Sequence, residues 1–178
     1  MLEKEGNAEW FEEGVEFSPD GALVVTHSNK LVVETWNSES GVKAQEFSGH
    51  SSFIQGVAFS EDGRRIITCS NDRTARLWGV SSGREIQRFE HPGPVAEARL
   101  SRDGTRLLTK WGDDPNNSQR DHVWLWDVPS GKKIKNIGYD AYGLVGFSPD
   151  GKRILATEKG RPVALLDATD GEVVRVYK

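Results

Sequence analysis

Short runs of apolar and β-branched residues, each ended by a turn signal, recur along the chain. The clearest group lies between residues 49 and 89, where four such runs are separated by Glu61-Asp62-Gly63, Asn71-Asp72 and Ser82-Gly83. Runs bounded by Asp, Asn, Ser and Gly are typical of strands, because these residues tolerate the backbone angles of tight turns. The pattern predicts four antiparallel strands that form one small sheet.

The same unit recurs four times at a nearly constant spacing. Asp-Gly pairs start at residues 20, 62, 103 and 150, in steps of 42, 41 and 47. Sixteen residues after the Asp lie Trp36, Trp78 and, in the last copy, Leu166, whereas Trp126 of the third copy comes seven residues later than that. A period just above forty residues indicates an architecture built from similar units.

This period, the four strands in each copy, Gly49-His50 before a first strand and Trp78 at the end of a third resemble the WD-repeat family of β-propellers. The resemblance covers about residues 8 to 178, with the second copy close to the family pattern and the fourth degenerate. It implies an all-β fold of four blades, each of four antiparallel strands, at about residues 10–47, 48–89, 90–137 and 138–178. A polar lead-in of residues 1–9 precedes them.

Blades of this family stack through apolar faces, so an unclosed row exposes an apolar face at each end. Three arrangements remain open: a tight four-bladed ring, two chains that complete an eight-bladed ring, or a segment attached to further blades of a longer chain. Four blades is the lower limit for propellers. We therefore expect a partial or half propeller.

The resemblance assigns a hydrogen-bonded tetrad to the second copy, made of His50, Thr68, Asp72 and Trp78. These residue types also match a Thr-His-Asp catalytic set. A nucleophile must be exposed beside an oxyanion site, however, and a Thr at the centre of a strand that bonds a buried Trp has neither property. We expect the tetrad to tie the strands together and not to catalyse a reaction.

The other copies carry less of the tetrad. In the third copy His91, Thr109 and Trp126 align with it, and the acid is left open among Asp113, Asp114 and Asp121. The polar stretch 112–121 around these acids predicts a surface loop and lacks the residue order of a calcium loop. The tetrad is absent from the fourth copy, and the first has Ala8 and Lys30 at the His and Asp positions.

Composition narrows the function classes. Lys and Arg number 23 against 27 Asp and Glu, which disfavours a general nucleic-acid surface. Cys69 is the only cysteine, so a disulfide within the chain is excluded, and no Cys/His cluster has zinc-ligand spacing. Residues 1–6 lack an apolar signal region and no run of eighteen apolar residues occurs, so we expect a cytoplasmic protein without a membrane partner.

In the family, partners usually dock on the face that carries the loops before the first strand and between the second and third strands. The position three residues after the His is a frequent contact, and it gives three aromatic residues and one proline: Phe11, Phe53, Tyr142 and Pro94. Rigid aromatic side chains favour binding hot spots. Further partner-binding candidates in related positions are Trp111, Gln55 and Asn71.

We therefore expect a non-enzymatic scaffold that binds a protein or peptide and needs no cofactor or metal. One alternative is a sensing or docking segment of a larger multidomain protein. A less favoured alternative is a propeller-type hydrolase, because such a site needs converging His and carboxylate groups. Two of the four histidines are assigned to tetrads, which leaves only His27 and His122 for that role.

Overall fold

The computed structural model describes residues 14–27, 31–112, 121–138, 146–157 and 162–177, and all regular secondary structure in these ranges is β-strand. The first two sheets contain β1 (Val15–Phe17), β2 (Leu23–His27), β3 (Val32–Asn37) and β4 (Lys43–Ser48), then β5 (Ile54–Phe59), β6 (Arg65–Ser70), β7 (Thr74–Gly79) and β8 (Glu85–Glu90). The other two contain β9 (Val95–Leu100), β10 (Arg106–Gly112), β11 (Asp121–Asp127) and β12 (Lys132–Gly138), then β13 (Gly146–Phe147), β14 (Arg153–Ala156), β15 (Val163–Asp167) and β16 (Val173–Tyr177).

Each sheet is an antiparallel meander in which strands pair only in chain order. We call the sheets blade one (β1–β4), blade two (β5–β8), blade three (β9–β12) and blade four (β13–β16). No strand is exchanged between blades in the described part of the chain. The predicted all-β fold of four-stranded propeller blades is confirmed.

The turn between the first two strands has the same chemistry in every blade. In blade two the Ser60 hydroxyl donates to the Asp62 carboxylate at 2.6 Å and accepts from the Arg65 backbone N–H at 3.0 Å. Gly63 follows with φ of 66°, in the left-handed region that only glycine adopts without strain. The equivalent Ser–Asp hydrogen bonds in the other blades measure 2.6 to 2.7 Å. The Ser-x-Asp-Gly sequence therefore fixes where each second strand begins.

Three apolar clusters lie between successive blades. Val25, Val33 and Phe47 of blade one pack against Ile54, Ile66 and Trp78 of blade two. The cluster between blades two and three includes Ile67, Leu77, Phe89, Leu107 and Trp126. The cluster between blades three and four includes Leu108, Leu125, Ile154 and Leu166. Both faces of a central strand such as β6 are buried, because a neighbouring blade covers each face.

Within the described residues, no helix has the length and apolar character required to span a membrane.

Candidate functional site on the second blade

The structure brings His50, Thr68, Asp72 and Trp78 into one hydrogen-bonded chain. His50 Nδ1 lies 2.7 Å from Asp72 Oδ2, and His50 Nε2 lies 2.7 Å from Thr68 Oγ1. The indole N–H of Trp78 donates to the same Thr68 oxygen at 2.9 Å. Three segments meet here: the loop before β5, strand β6 with the turn after it, and strand β7.

The direction of these hydrogen bonds follows from the two end groups, because the Asp72 carboxylate only accepts and the Trp78 indole N–H only donates. The Asp72 carboxylate accepts from Nδ1–H of His50, so Nε2 accepts from the Thr68 hydroxyl, and the Thr68 oxygen accepts from Trp78. Burial opposes the charge on Asp72, but hydrogen bonds from His50 and Thr74 hold the pKa of its carboxyl well below the usual range. The Asp72 carboxylate is therefore ionised at the end of this hydrogen-bonded network.

Arg76 extends this network in a way that sequence reasoning missed. Its guanidinium lies 3.1 Å from Asp72 and 3.1 Å from Glu85, and it is almost fully buried. A buried charge is tolerated when it is paired and hydrogen-bonded, and Arg76 has both carboxylates as partners. The signal in the sequence was an Arg on a central strand, four residues after the candidate acid Asp72.

The geometry of this network is that of a structural clamp. Thr68 is only 1 % exposed and its oxygen already contacts His50 and Trp78. A substrate carbonyl cannot approach a hydroxyl enclosed in this way, although a catalytic nucleophile requires such an approach. Thr68, His50 and Asp72 therefore resemble a catalytic triad in residue type, but a substrate has no access to the Thr68 hydroxyl.

Blade three contains the same arrangement with a different terminal acceptor. Thr109 Oγ1 lies 2.8 Å from His91 Nε2 and accepts from the Trp126 indole at 2.8 Å. His91 Nδ1 donates to the backbone carbonyl of Phe89 at 3.1 Å, in the place where His50 meets a carboxylate. Burial lowers the pKa of His91 to about 4, so the ring is neutral at neutral pH.

The choice among the three candidate acids of the third copy stays open. The described partner of His91 Nδ1 is a main-chain carbonyl, which no residue pattern could indicate. Asp113 and Asp114 lie outside the described residues, and so does the side chain of Asp121, whose backbone begins β11.

Blades one and four depart further from the tetrad. In blade one the Trp36 indole donates to Thr26 Oγ1 at 3.0 Å, a pair that sequence reasoning did not name. Ala8 and Lys30 lie outside the described residues. In blade four Leu166 is buried at the Trp position, and Ala156 packs against the same cluster. Blade four therefore relies on apolar packing where blade two relies on hydrogen bonds.

Three of the partner-binding candidates lie together at the loop edge of blade two. The Phe53 side chain is 54 % exposed, and its carbonyl accepts from the Asn71 backbone N–H at 2.9 Å. The Gln55 amide donates to the Asn71 side-chain oxygen at 2.9 Å. We call Phe53, Gln55 and Asn71 the blade-two patch. The candidates Phe11 and Tyr142 lie outside the described residues.

Trp111 was expected beside these residues on the surface, and the structure places it in the interior. It is 5 % exposed and belongs to the cluster between blades two and three. Its ring stacks on His122 at 4.3 Å between centroids. The physical reason is that β10 and β11 stay paired as far as Gly112 and Asp121, which keeps Trp111 inside the sheet. A partner cannot contact this side chain directly.

A groove of about 300 Å³ between blades two and three begins at the blade-two patch. Gln55 lines one side, and Glu97 and Arg99 of β9 line the other. Glu97 and Arg99 form an exposed ion pair. Sequence reasoning did not single out this pair, because two alternating charges on a strand look like any solvated strand face.

The remaining histidines do not converge on a metal site. In blade one, the His27 ring accepts from the Gly14 backbone N–H at 3.1 Å. In blade three, His122 stacks on Trp111 of the same blade. Among the residues described, no group of three or more His, Cys, Asp or Glu side chains has the arrangement of a metal site.

The fold and this clamp define a protein built from propeller blades. Residues 41–79, which include the whole tetrad of blade two, match the family model of the WD domain, G-beta repeat. The comparison with curated proteins found no match. The matched repeat lies in blade two, and the four sheets of the same topology are consistent with the blades of a WD-repeat propeller. WD domains are generally non-enzymatic scaffolds that bind protein partners.

Proposed function

We propose that this protein is a non-enzymatic scaffold that binds a protein or peptide segment through the blade-two patch. The observation that carries the proposal is the exposure of a large aromatic ring, Phe53, on a loop that hydrogen bonds hold in place. A rigid aromatic side chain offers a large contact area at a small cost in conformational entropy, and such residues are frequent at binding hot spots.

The backbone around Phe53 is anchored from both sides. Its own carbonyl bonds Asn71, and the carbonyl of Ser52 accepts from the Ser70 hydroxyl at 2.9 Å. The next residue, Ile54, is buried in the cluster between blades one and two. The ring is therefore presented by an ordered backbone, so binding requires little further ordering of the loop.

The amides of Gln55 and Asn71 supply polar recognition next to the ring. Their mutual hydrogen bond uses one donor of Gln55 and one acceptor of Asn71, and each amide has further hydrogen-bonding capacity. These groups suit the main-chain N–H and C=O groups of a bound segment. The segment that fits best therefore carries an apolar side chain for Phe53, with its backbone beside the amide pair.

The test is site-specific photocrosslinking in cells followed by binding measurements with the identified partner. A photoreactive residue at position 53 should yield a crosslinked protein, and one at Ile86, which is also 54 % exposed, should not. With the purified partner, Phe53→Ala should weaken binding by roughly 30-fold, as expected for a hot-spot residue, and Ile86→Ala should leave it unchanged. Equal effects of the two alanine variants would refute the proposal.

A further inference from the structure

The two outermost blades each present one face that is built like a blade-to-blade interface. We call the face turned toward the following blade the leading face, and the face turned toward the preceding blade the trailing face. The three apolar clusters show that each leading face from blade one to blade three is covered by the next trailing face. The leading face of blade four and the trailing face of blade one have no such cover in the described structure.

Equivalent residues show the loss of cover on blade four. Leu155 lies at the centre of β14 and is 44 % exposed, whereas the residues at the same position of the other blades are buried: Val25, Ile67 and Leu108. Tyr177 is 45 % exposed, whereas the equivalent Phe47 and Phe89 are buried. The side chains on this face are those of an interface, and no sheet among the described residues covers them.

A repeated arginine gives the same indication. Arg65 of blade two donates to the Gly104 carbonyl of blade three at 3.2 Å, and Arg106 of blade three donates to the Ala168 carbonyl of blade four at 3.1 Å. Arg153 is the equivalent residue of blade four. Its described hydrogen bonds go to Lys152 and Asp167 of its own blade.

The trailing face of blade one shows the complementary deficit. A methyl group built on Gly83, Gly131 or Gly171 would lie within 3 Å of a side chain from the preceding blade, which is Gln45, Gln87 or Lys135. Built on the equivalent Gly41 of blade one, it would meet nothing within 4 Å. Phe17 on the same side of this blade is 62 % exposed.

We propose that a second copy of this chain covers both faces, so that two chains join head to tail into one closed ring. The leading face of blade four of each chain would pack on the trailing face of blade one of the other. A second copy carries the required surface, because the three interfaces within the chain already pair these two types of face. Head-to-tail contacts either close or propagate, and propellers contain four to eight blades, so two sets of the four described blades are compatible with one closed ring.

The charges on the two faces are complementary. The leading face of blade four carries Arg153 and also Arg175, which is equivalent to Gln45, Gln87 and Lys135. The trailing face of blade one carries Glu34 and Glu46, with Lys43 bonded to both. Because Arg153 is paired with Asp167, Arg175 leaves an excess of one positive charge on the first face, opposite an excess of one carboxylate on the second. Opposite charge favours the pairing of a leading face with a trailing face over the pairing of two leading faces.

The experiment measures molar mass by light scattering during size-exclusion chromatography. The wild-type chain should give twice the chain mass of 19.8 kDa. Leu155→Glu should shift the protein to the monomer, with the dissociation constant raised by roughly 100-fold, because the new carboxylate would be buried without a partner. Ile86→Glu introduces the same charge at an exposed position of blade two and should remain a dimer. Circular dichroism of each variant would verify that its β-structure is retained.

A mixing experiment tests the head-to-tail arrangement itself. Phe17→Glu should also be monomeric, because it disrupts the opposite face. When the Leu155→Glu and Phe17→Glu chains are mixed, one of the two junctions contains only wild-type faces, so heterodimers should form. A monomeric wild-type chain, assemblies larger than a dimer, or a Leu155→Glu variant that stays dimeric would each overturn the proposal. Because none of these changes touches the blade-two patch, the result is independent of the proposed partner binding.

Discussion

Thr68 and Thr35 provide a sharp test of the clamp in blade two, because the same substitution should destabilise the protein at Thr68 and not at Thr35. Both residues lie on central strands and both are buried. The Thr68 hydroxyl bonds His50 and Trp78. The Thr35 hydroxyl has no hydrogen-bond partner among the described residues. Replacement by Val keeps the shape of the side chain and removes only the hydroxyl.

The expected magnitudes follow from the groups that lose a partner. Thr68→Val leaves His50 Nε2 and the Trp78 indole N–H buried without their common partner, and each unsatisfied group costs about 1 to 3 kcal/mol. The free energy of unfolding should therefore fall by about 4 kcal/mol. Thr35→Val removes a hydroxyl that is buried without a bond, so the free energy of unfolding should stay constant or rise by up to about 1 kcal/mol.

The assay is equilibrium unfolding in urea, followed by circular dichroism and by Trp fluorescence, at a fixed protein concentration. Coincidence of the two probes would establish that the transition is two-state before free energies are compared. In the Thr68→Val variant, the Trp78 indole proton should also exchange faster with solvent. A loss below about 1 kcal/mol for Thr68→Val, or equal losses for both variants, would refute the assignment of the clamp.

Three further predictions concern other parts of the fold. His91 is neutral in the folded protein because burial lowers its pKa to about 4, whereas the unfolded residue titrates near 6.5. The contribution of the neutral His91 ring to the free energy of unfolding should be complete above about pH 6.5. It should fall by about 3 kcal/mol as the pH is lowered toward 4. Burial raises the pKa of the Cys69 thiol to about 12, so a disulfide reagent should label it at least roughly 100-fold faster in urea than in the native state. Arg106→Gln should weaken the contact of blade three with Ala168 by about 1 to 2 kcal/mol, seen as faster hydrogen exchange in β15.

Each of these predictions has its own control. For His91, the variant His91→Gln should lose most of the stability change between pH 6.5 and 4, and an unchanged pH profile would count against the neutral ring. For Cys69, rapid labelling of the native protein would mean that the thiol is not enclosed. For Arg106, exchange that accelerates equally in β6 of blade two would indicate global destabilisation and contradict a local contact.

The residues of the blade-two clamp could be named from the sequence because their spacing is a property of the repeat. Ser-x-Asp-Gly turns set the start of each second strand, and the distances from there to Thr68 and Trp78 are counted along the chain. Local turn chemistry of this kind acts within five residues, as the Ser60 hydrogen bonds show. The number of blades and their strand order follow from the same pattern.

Other features depend on contacts between distant segments and could not be read from the pattern. Trp111 looked like a surface residue next to a polar stretch, yet continued pairing of β10 with β11 draws it into the interior. His91 bonds the Phe89 carbonyl, and a main-chain acceptor leaves no residue type to recognise. The buried Arg76 is paired with two carboxylates, Asp72 from a turn and Glu85 from another strand.

The sequence by itself thus determined the repeat, the turns, the four-stranded blades and the identity of the clamp residues, because these rest on short-range spacing and backbone chemistry. Only the tertiary structure decided which side chains are covered. Leu155 and Ile67 occupy equivalent positions and are both aliphatic, but one is exposed and the other buried, because burial depends on whether a neighbouring sheet lies against that face.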